Sequence, residues 1–172
     1  MNFRIQGVKV LKSNKFWGWT IMSRYPQSEI VIGSPNFFDS SKNVNLIGVN
    51  RQCILSTHAR NAKIQIGNKN GFSGVTIAAF NKIVIGNNVK VGANVLITDS
   101  NWHPEDPRSG ESFPVVIEDN VWLGVNCIVL KGVTIGENSI IGANSVVVKD
   151  IPANSIASGN PCKVLKTLNK IE

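Results

Sequence analysis

The chain has 172 residues and a formal net charge of +7, and 42% of its residues are hydrophobic. This length favours a single domain over 1–172, and the hydrophobic content suffices for a core, which excludes global disorder. No apolar run reaches the roughly 18 residues of a membrane span, and the N-terminus lacks the apolar stretch of a secretion signal. With three scattered cysteines, which are typical of reduced thiols, we expect a cytoplasmic protein without an integral membrane segment.

The N-terminal third has only loose periodicity. Residues 1–29 contain no repeat, and we expect them to form an N-terminal cap. Ile66 and Ile85 are 19 residues apart, one more than three sixes, which predicts a local bulge. We expect the repeated region to begin near residue 30. Its first part contains the Ile-Gly pairs Ile32-Gly33, Ile47-Gly48 and Ile66-Gly67.

A strict six-residue repeat occupies the rest of the chain up to about residue 151. A helix needs a period near 3.6 and an alternating strand a period of 2, so neither fits. Asn or Gly follows seven of the nine repeated aliphatic residues by three positions, and both tolerate the left-handed backbone of a corner. Three six-residue sides make a triangular coil, and several coils must stack to bury their interior. The aliphatic columns expected in such a parallel β-helix are Ile85/Ile117/Ile135, Val91/Leu123/Ile141 and Ile97/Val129/Val147.

The repeat stops once, in the sequence "TDSNWHPEDPRSGESFP" of residues 98–114. Ile97 and Ile117 are 20 residues apart, so 14 residues beyond one side must leave the coil as a loop. Loops on a rigid scaffold often carry function. This loop contains His103, one of two histidines, and histidine is the natural general base at neutral pH.

The last segment, 152–172, has apolar residues at helical spacing. The pattern predicts a short C-terminal helix or a tail laid on the last coil. These apolar residues are Val164, Leu165, Leu168 and Ile171.

The stretch "VVIEDNVWLGVNCIVLKGVTIGENSIIGANSVVVKDIPANSIASGNPCKVLK", together with "NWHP" and "GNPCK", resembles the hexapeptide-repeat acetyltransferases. Within them it is similar to the maltose, galactoside and capsular or exopolysaccharide O-acetyltransferases, over about residues 30–166. The resemblance implies an all-β, left-handed parallel β-helix that assembles as a homotrimer. It also implies acetyl transfer from acetyl-CoA to a hydroxyl of a sugar or polysaccharide precursor.

The same resemblance implies a set of site residues, and with only two histidines in the chain we expect no metal. His103 would be the general base for direct transfer in a ternary complex, with backbone N–H groups as oxyanion donors. Asp99 either orients the imidazole or caps a turn, and Trp102 either stacks on a sugar or anchors the loop. Ser73 stands where relatives place an acceptor-binding asparagine. The donor contacts implied are Val125, Ala143, Val148, Lys149, Lys163 and Lys166.

Other functions remain open from the sequence. An N-acetyltransferase of a nucleotide-linked amino sugar would use the same fold and histidine, and a non-catalytic β-helix scaffold would need neither the loop nor His103. A zinc-dependent hydratase of this fold needs three histidines, and His58, read as a surface or turn residue, is the only other one. Nucleic-acid binding is disfavoured because aromatic and basic residues are not interleaved.

Overall fold

The computed structural model describes residues 7–168, and their regular structure is almost entirely β. The strands form three sheets of six, eight and six strands, which are the faces of a triangular coil. We call them faces A, B and C, in the order in which the chain visits them before returning to face A one coil further on.

Each face contains one strand from nearly every coil. Face A contains Val8–Val10, Glu29–Ile32, Lys63–Ile66, Lys82–Ile85, Val115–Ile117 and Thr134–Ile135. Face B contains Lys15–Trp17, Phe37–Asp39, Gly71–Ser73, Lys90–Val91, Trp122–Leu123, Ile140–Ile141, Ser155–Ser158 and Lys163–Thr167. Face C contains Ile21–Ser23, Ile54–Thr57, Thr76–Ala79, Leu96–Thr98, Ile128–Val129 and Val146–Val147. A short 3-10 helix spans Pro107–Ser109.

The predicted aliphatic columns are confirmed. Adjacent coils pair in parallel, and the nine repeated residues are at most 4% exposed. Burial of this apolar area, at about 25 cal/mol per Å², drives the stacking. The pairs in register are Ile85–Ile117–Ile135, Val91–Leu123–Ile141 and Ile97–Val129–Val147.

The corners also have the predicted backbone. The repeated asparagines have φ between 54° and 61°, and Gly132 has φ of 77°. At the corner between faces A and B the side chains form a ladder, in which Asn88 donates to Asn120, Asn120 to Asn138, and Asn138 to Asn154 at 2.9–3.0 Å. An asparagine therefore supplies both the left-handed turn and a bond to the next coil.

The β-helix begins earlier than expected, because residues 8–23 form a complete first coil rather than an irregular cap. The repeat is not evident there because Phe16 takes the aliphatic position on face B. Phe16, Phe38 and Phe72 stack with centroids 4.8 Å apart and continue into the column of Val91. The helix also ends later, since Ser155–Ser158 pairs with Ile140–Ile141.

The 19-residue coil departs from three sixes at two corners. Ile66 pairs in register with Ile85, and the step from Phe72 to Ile77 is five residues, whereas the step from Ile77 to Ile85, which contains Phe80 and Asn81, is eight. The expected irregularity is thus a widened corner between faces C and A.

The C-terminal segment is a tail in strand form, and the helical alternative is wrong for 163–167. Lys163–Thr167 pairs antiparallel with Ser155–Ser158, and Leu165 is 67% exposed. Pairing with the open edge of face B gives the backbone N–H and C=O groups of this strand hydrogen-bond partners. Its side chains all remain exposed, so apolar burial does not favour a helix here. Ile171 lies outside the described residues. Across 7–168, no helix has the length and apolarity needed to cross a membrane.

The left-handed corner at Asn138, where φ is 60°, leads to a prediction about stability. Both Asn138→Gly and Asn138→Ala remove the ladder bonds, but only alanine is strained by the left-handed backbone. We expect the alanine variant to have a free energy of unfolding lower than that of the glycine variant by about 1 kcal/mol. Urea denaturation of both variants measures this difference, and equal midpoints would contradict it.

Candidate active site

The loop that carries His103 is attached to the coil at both ends. Phe113 N–H donates to the Asp99 carbonyl at 3.1 Å, and Gly132 N–H donates to the Phe113 carbonyl at 3.1 Å. Lys131 Nζ donates to the carbonyls of Ser109 and Glu111 at 2.6 and 2.9 Å. These bonds hold the loop at the corner between faces C and A.

Asp99 holds the widened corner under this loop. Its side chain is fully buried, and its two carboxylate oxygens accept from the backbone N–H groups of Phe80 and Asn81 at 2.7 and 2.8 Å. Burial raises the pKa of this carboxyl, and the backbone hydrogen bonds oppose that rise. The turn-capping interpretation of Asp99 is the one observed, because its oxygens are already engaged away from His103 and from any acceptor.

His103 instead contacts Glu105. Its Nδ1 lies 3.1 Å from Glu105 Oε1, and both side chains are more than 70% exposed. The pKa of Glu105 is lowered, first by the hydrogen bond of its own backbone N–H and then by the bond from His103. When Nδ1 donates to the carboxylate, Nε2 is the ring nitrogen left to accept a proton. Glu105 is not among the site residues that the sequence predicted, and its position two residues after His103 was the available signal.

Trp102 anchors the loop. Its Nε1 donates to Thr98 Oγ1 at 3.1 Å, and its ring lies 4.8 Å from that of His58 and 5.6 Å from that of Phe80. The backbone of Trp102 has a left-handed φ of 70°, which directs the chain outward just before His103. Of the two predicted roles, the contacts support anchoring.

His58 belongs to the same cluster. It directly follows the strand Ile54–Thr57, its Nε2 lies 2.8 Å from Ser56 Oγ, and its ring stacks on Phe80 at 4.9 Å. Burial lowers the pKa of His58, and the charge of Asp99 partly opposes this. The side chain is half-buried rather than on the surface, and it supports the loop through its contact with Trp102.

A second feature, which we call the groove, follows the corner between faces B and C. It has a volume of about 410 Å³ and is mostly apolar. Ala93, Val125 and Ala143 occupy the same position of this corner in successive coils, and none of their N–H groups donates to a protein acceptor among the described residues. The groove is lined by Asn45, Ile47, Ser73, Gly92, Ala93, Trp122, Gly124, Val125, Ile140, Ile141, Gly142 and Ala143.

The predicted site residues are divided between the two edges of face C. Ser73, Val125 and Ala143 lie in the groove. His103, Val148 and Lys149 lie at the other edge, where the chain leaves face C for face A. Lys163 and Lys166 are exposed on the last strand of face B. A single chain therefore does not bring His103 and the groove together.

Two sequence families match the coils. "Bacterial transferase hexapeptide (six repeats)" matches residues 114–149, and "Hexapeptide repeat of succinyl-transferase" matches residues 83–99. The matched ranges lie on either side of the His103 loop, as the interrupted repeat predicted.

Curated relatives support the predicted resemblance. The chain is 44% identical over 99 residues to galactoside O-acetyltransferase of Escherichia coli K12, covering 55% of this chain and 49% of that protein. It is 47% identical over 100 residues to the Lactococcus lactis galactoside O-acetyltransferase, covering 55% and 48%. The chain thus spans about half the length of these relatives.

Solved structures extend the likeness to most of the chain. A galactoside acetyltransferase in complex with coenzyme A has a TM-score of 0.54 and 28% identity, covering 90% of this chain and 65% of that one. A maltose O-acetyltransferase from Clostridium difficile 630 has a TM-score of 0.52 and 29% identity, covering 96% and 72%. The predicted resemblance to hexapeptide-repeat acetyltransferases and the predicted left-handed parallel β-helix are both confirmed.

The lowered pKa of His58 predicts how stability depends on pH. Below the usual value of 6.5 the unfolded chain takes up this proton before the folded chain does, so stability is complete above 6.5 and falls as the pH drops below it. His58→Phe keeps the ring contacts and removes the titration. We expect wild type to lose more thermal stability than His58→Phe between about pH 7 and pH 5.5, measured as Tm. Parallel losses in the two proteins would contradict this explanation.

Proposed function

We propose that the protein transfers an acetyl group from acetyl-CoA to a hydroxyl of a sugar or polysaccharide precursor. The observation that carries this proposal is the pairing of His103 Nδ1 with Glu105, which leaves Nε2 available on a loop extruded from a transferase hexapeptide helix. Similarity to galactoside and maltose O-acetyltransferases supports the choice of acceptor class.

The reaction needs a base and an oxyanion site. His103 Nε2 takes the proton of the acceptor hydroxyl while the hydroxyl oxygen attacks the thioester carbonyl. The tetrahedral oxyanion is stabilised by backbone N–H groups of the groove, which have no protein acceptor in the described chain. Collapse breaks the C–S bond, and the proton on His103 passes to the departing thiolate, giving the acetyl ester and CoA.

The donor is held by the groove and by cations outside it. The N–H groups of Val125 and Ala143 are about one strand spacing apart, about 4.8 Å, and suit the amide carbonyls of the pantetheine arm. Val148 and Lys149 lie at the opposite edge of face C, so they would contact the donor from a neighbouring chain. Lys163 and Lys166, both exposed, bind the phosphates of CoA. Buried, unpaired cysteines and use of acetyl-CoA fit a cytoplasmic location.

On the acceptor side, Ser73 is the retained candidate. Its hydroxyl oxygen accepts from Asn45 Nδ2 at 2.9 Å, so its own hydrogen is free to donate to a sugar oxygen. Trp102 contributes by holding the loop, and we assign Asp99 to the corner rather than to the acceptor.

A homotrimer completes the site. The two edges of face C carry different halves of the machinery, so the His103 edge of one chain must meet the groove edge of another. Face C is suited to self-association because its outward column has no charged side chain, unlike the columns with Lys9 on face A and Lys90 on face B. That column consists of Ile21, Ile54, Thr76, Leu96, Ile128 and Val146.

His103→Ala tests the base. We expect kcat for acetyl transfer to fall at least 100-fold, the scale of general-base catalysis, with CoA affinity unchanged. Thiol release is measured with a galactoside, with maltose and with their amino analogues, which separates O- from N-acetylation. Glu111→Gln, an exposed change in the same loop, is the control and should retain activity. A loss below tenfold in His103→Ala would remove the residue from the mechanism.

Ile128→Glu tests assembly through face C. A charge in the apolar column should prevent its burial between chains, so we expect the mass in sedimentation velocity to fall to that of one chain. Val116→Glu, an outward and half-buried position on face A of the same coil, is the matched control and should keep the wild-type mass. If Ile128→Glu folds and keeps the wild-type mass, face C is not the interface.

A further inference from the structure

A second loop leaves the coil between Asp39 and Ile54, at the corner between faces B and C. We call residues 40–53 the groove loop. Its apolar tip is exposed, with Leu46 at 87% and Ile47 at 62%. The sequence had suggested that Ile47-Gly48 belongs to the repeat, but the pair lies outside the coil.

The groove loop is fixed to the coil by Asn94. The side chain of Asn94 donates to the Gly48 carbonyl at 2.8 Å and accepts from Asn50 N–H at 3.1 Å. One coil further on at the same corner, the Asn126 side chain donates to Asn144 instead. Asn94 therefore does not bond to the asparagine of the next coil, and both the oxygen and the nitrogen of its amide bind the groove loop.

Gly74 provides the space for this attachment. At the corner position of its coil, a Cβ on Gly74 would lie 2.8 Å from the Arg51 carbonyl oxygen and 3.1 Å from Val49. Val49 itself is buried at 3% exposure. The returning half of the loop therefore packs where a corner side chain would otherwise stand, which makes the loop a built part of the fold.

The tip of the loop borders the groove. Ile47 and Asn45 line it together with Val125 and Ala143, and Asn45 Nδ2 closes one end through its bond to Ser73. The floor is glycine, alanine and valine, with one free N–H per coil. A chain of methylene and methyl groups interrupted by amides matches both the apolar surface and the N–H spacing.

We propose that the groove loop is the outer wall of the donor site and that Ile47 packs against the pantetheine arm of CoA. This inference rests on the proposed function, because it takes CoA as the occupant of the groove. The exposed apolar surface of Ile47 is then covered in the complex, and the rigid attachment through Asn94 keeps the wall in place before the donor binds.

Calorimetry with CoA tests the wall. We expect Ile47→Ala to raise the Kd for CoA about five- to tenfold, the effect of losing most of a buried aliphatic side chain. Leu46→Ala is the matched control, since Leu46 is adjacent and more exposed but does not line the groove, and its Kd should stay within about twofold of wild type. With adenosine 3′,5′-bisphosphate, which lacks the pantetheine arm, Ile47→Ala and wild type should bind equally.

A second pair of variants tests the attachment. Asn94→Gly keeps the left-handed corner and releases the loop, so CoA should bind about five- to tenfold more weakly through the same lost contacts. Asn88→Gly makes the same change at the corner between faces A and B, away from the groove, and should leave the Kd unaltered.

The outcomes separate the two proposals. If the wild-type protein does not bind CoA, both the proposed function and the proposed role of the groove loop are wrong. If wild type binds CoA but Ile47→Ala and Leu46→Ala bind it equally, the wall alone is wrong. A fall in sedimenting mass caused by Ile47→Ala would also overturn it, because the tip would then be a contact between chains.

Discussion

The structure depends on a left-handed corner every six residues. Each corner places the next aliphatic side chain over the one in the preceding coil, and parallel pairing then buries whole columns at once. Asparagine suits this position because it tolerates the backbone and its amide bonds to the neighbouring coil. Because the corners recur regularly, a coil cannot accommodate extra residues within its sides. Insertions therefore project from the corners between faces.

Both insertions in the described chain flank face C, and a buried polar side chain lies at the base of each. Asp99 binds the backbone of the widened corner beneath the His103 loop, and Asn94 binds the groove loop. Removing either side chain would leave backbone groups without partners near a functional surface. Rigid attachment favours a site whose walls are in place before the substrates arrive.

Face C separates the base from the donor groove, and this separation explains why the proposed chemistry needs more than one chain. His103 and Glu105 are largely exposed at one edge, while Val125 and Ala143 lie at the other. An uncharged outward column between them is well suited to contact with another copy. In the proposed trimer, assembly and catalysis are therefore linked through the same face.

The sequence by itself determined the coil from residue 85 onward, the columns, the left-handed corners and the loop around His103, since each depends on a local period that side-chain type reveals. The first coil was not predicted because Phe16 takes the aliphatic position in its column, and the groove loop was not predicted because Ile47-Gly48 has the form of the repeat. The partners of His103, Asp99 and Asn94 were decided only by the tertiary structure. Those contacts join residues whose loop conformations and facing coils have no signature in the local pattern, so hydrogen bonding and burial in three dimensions had to select them.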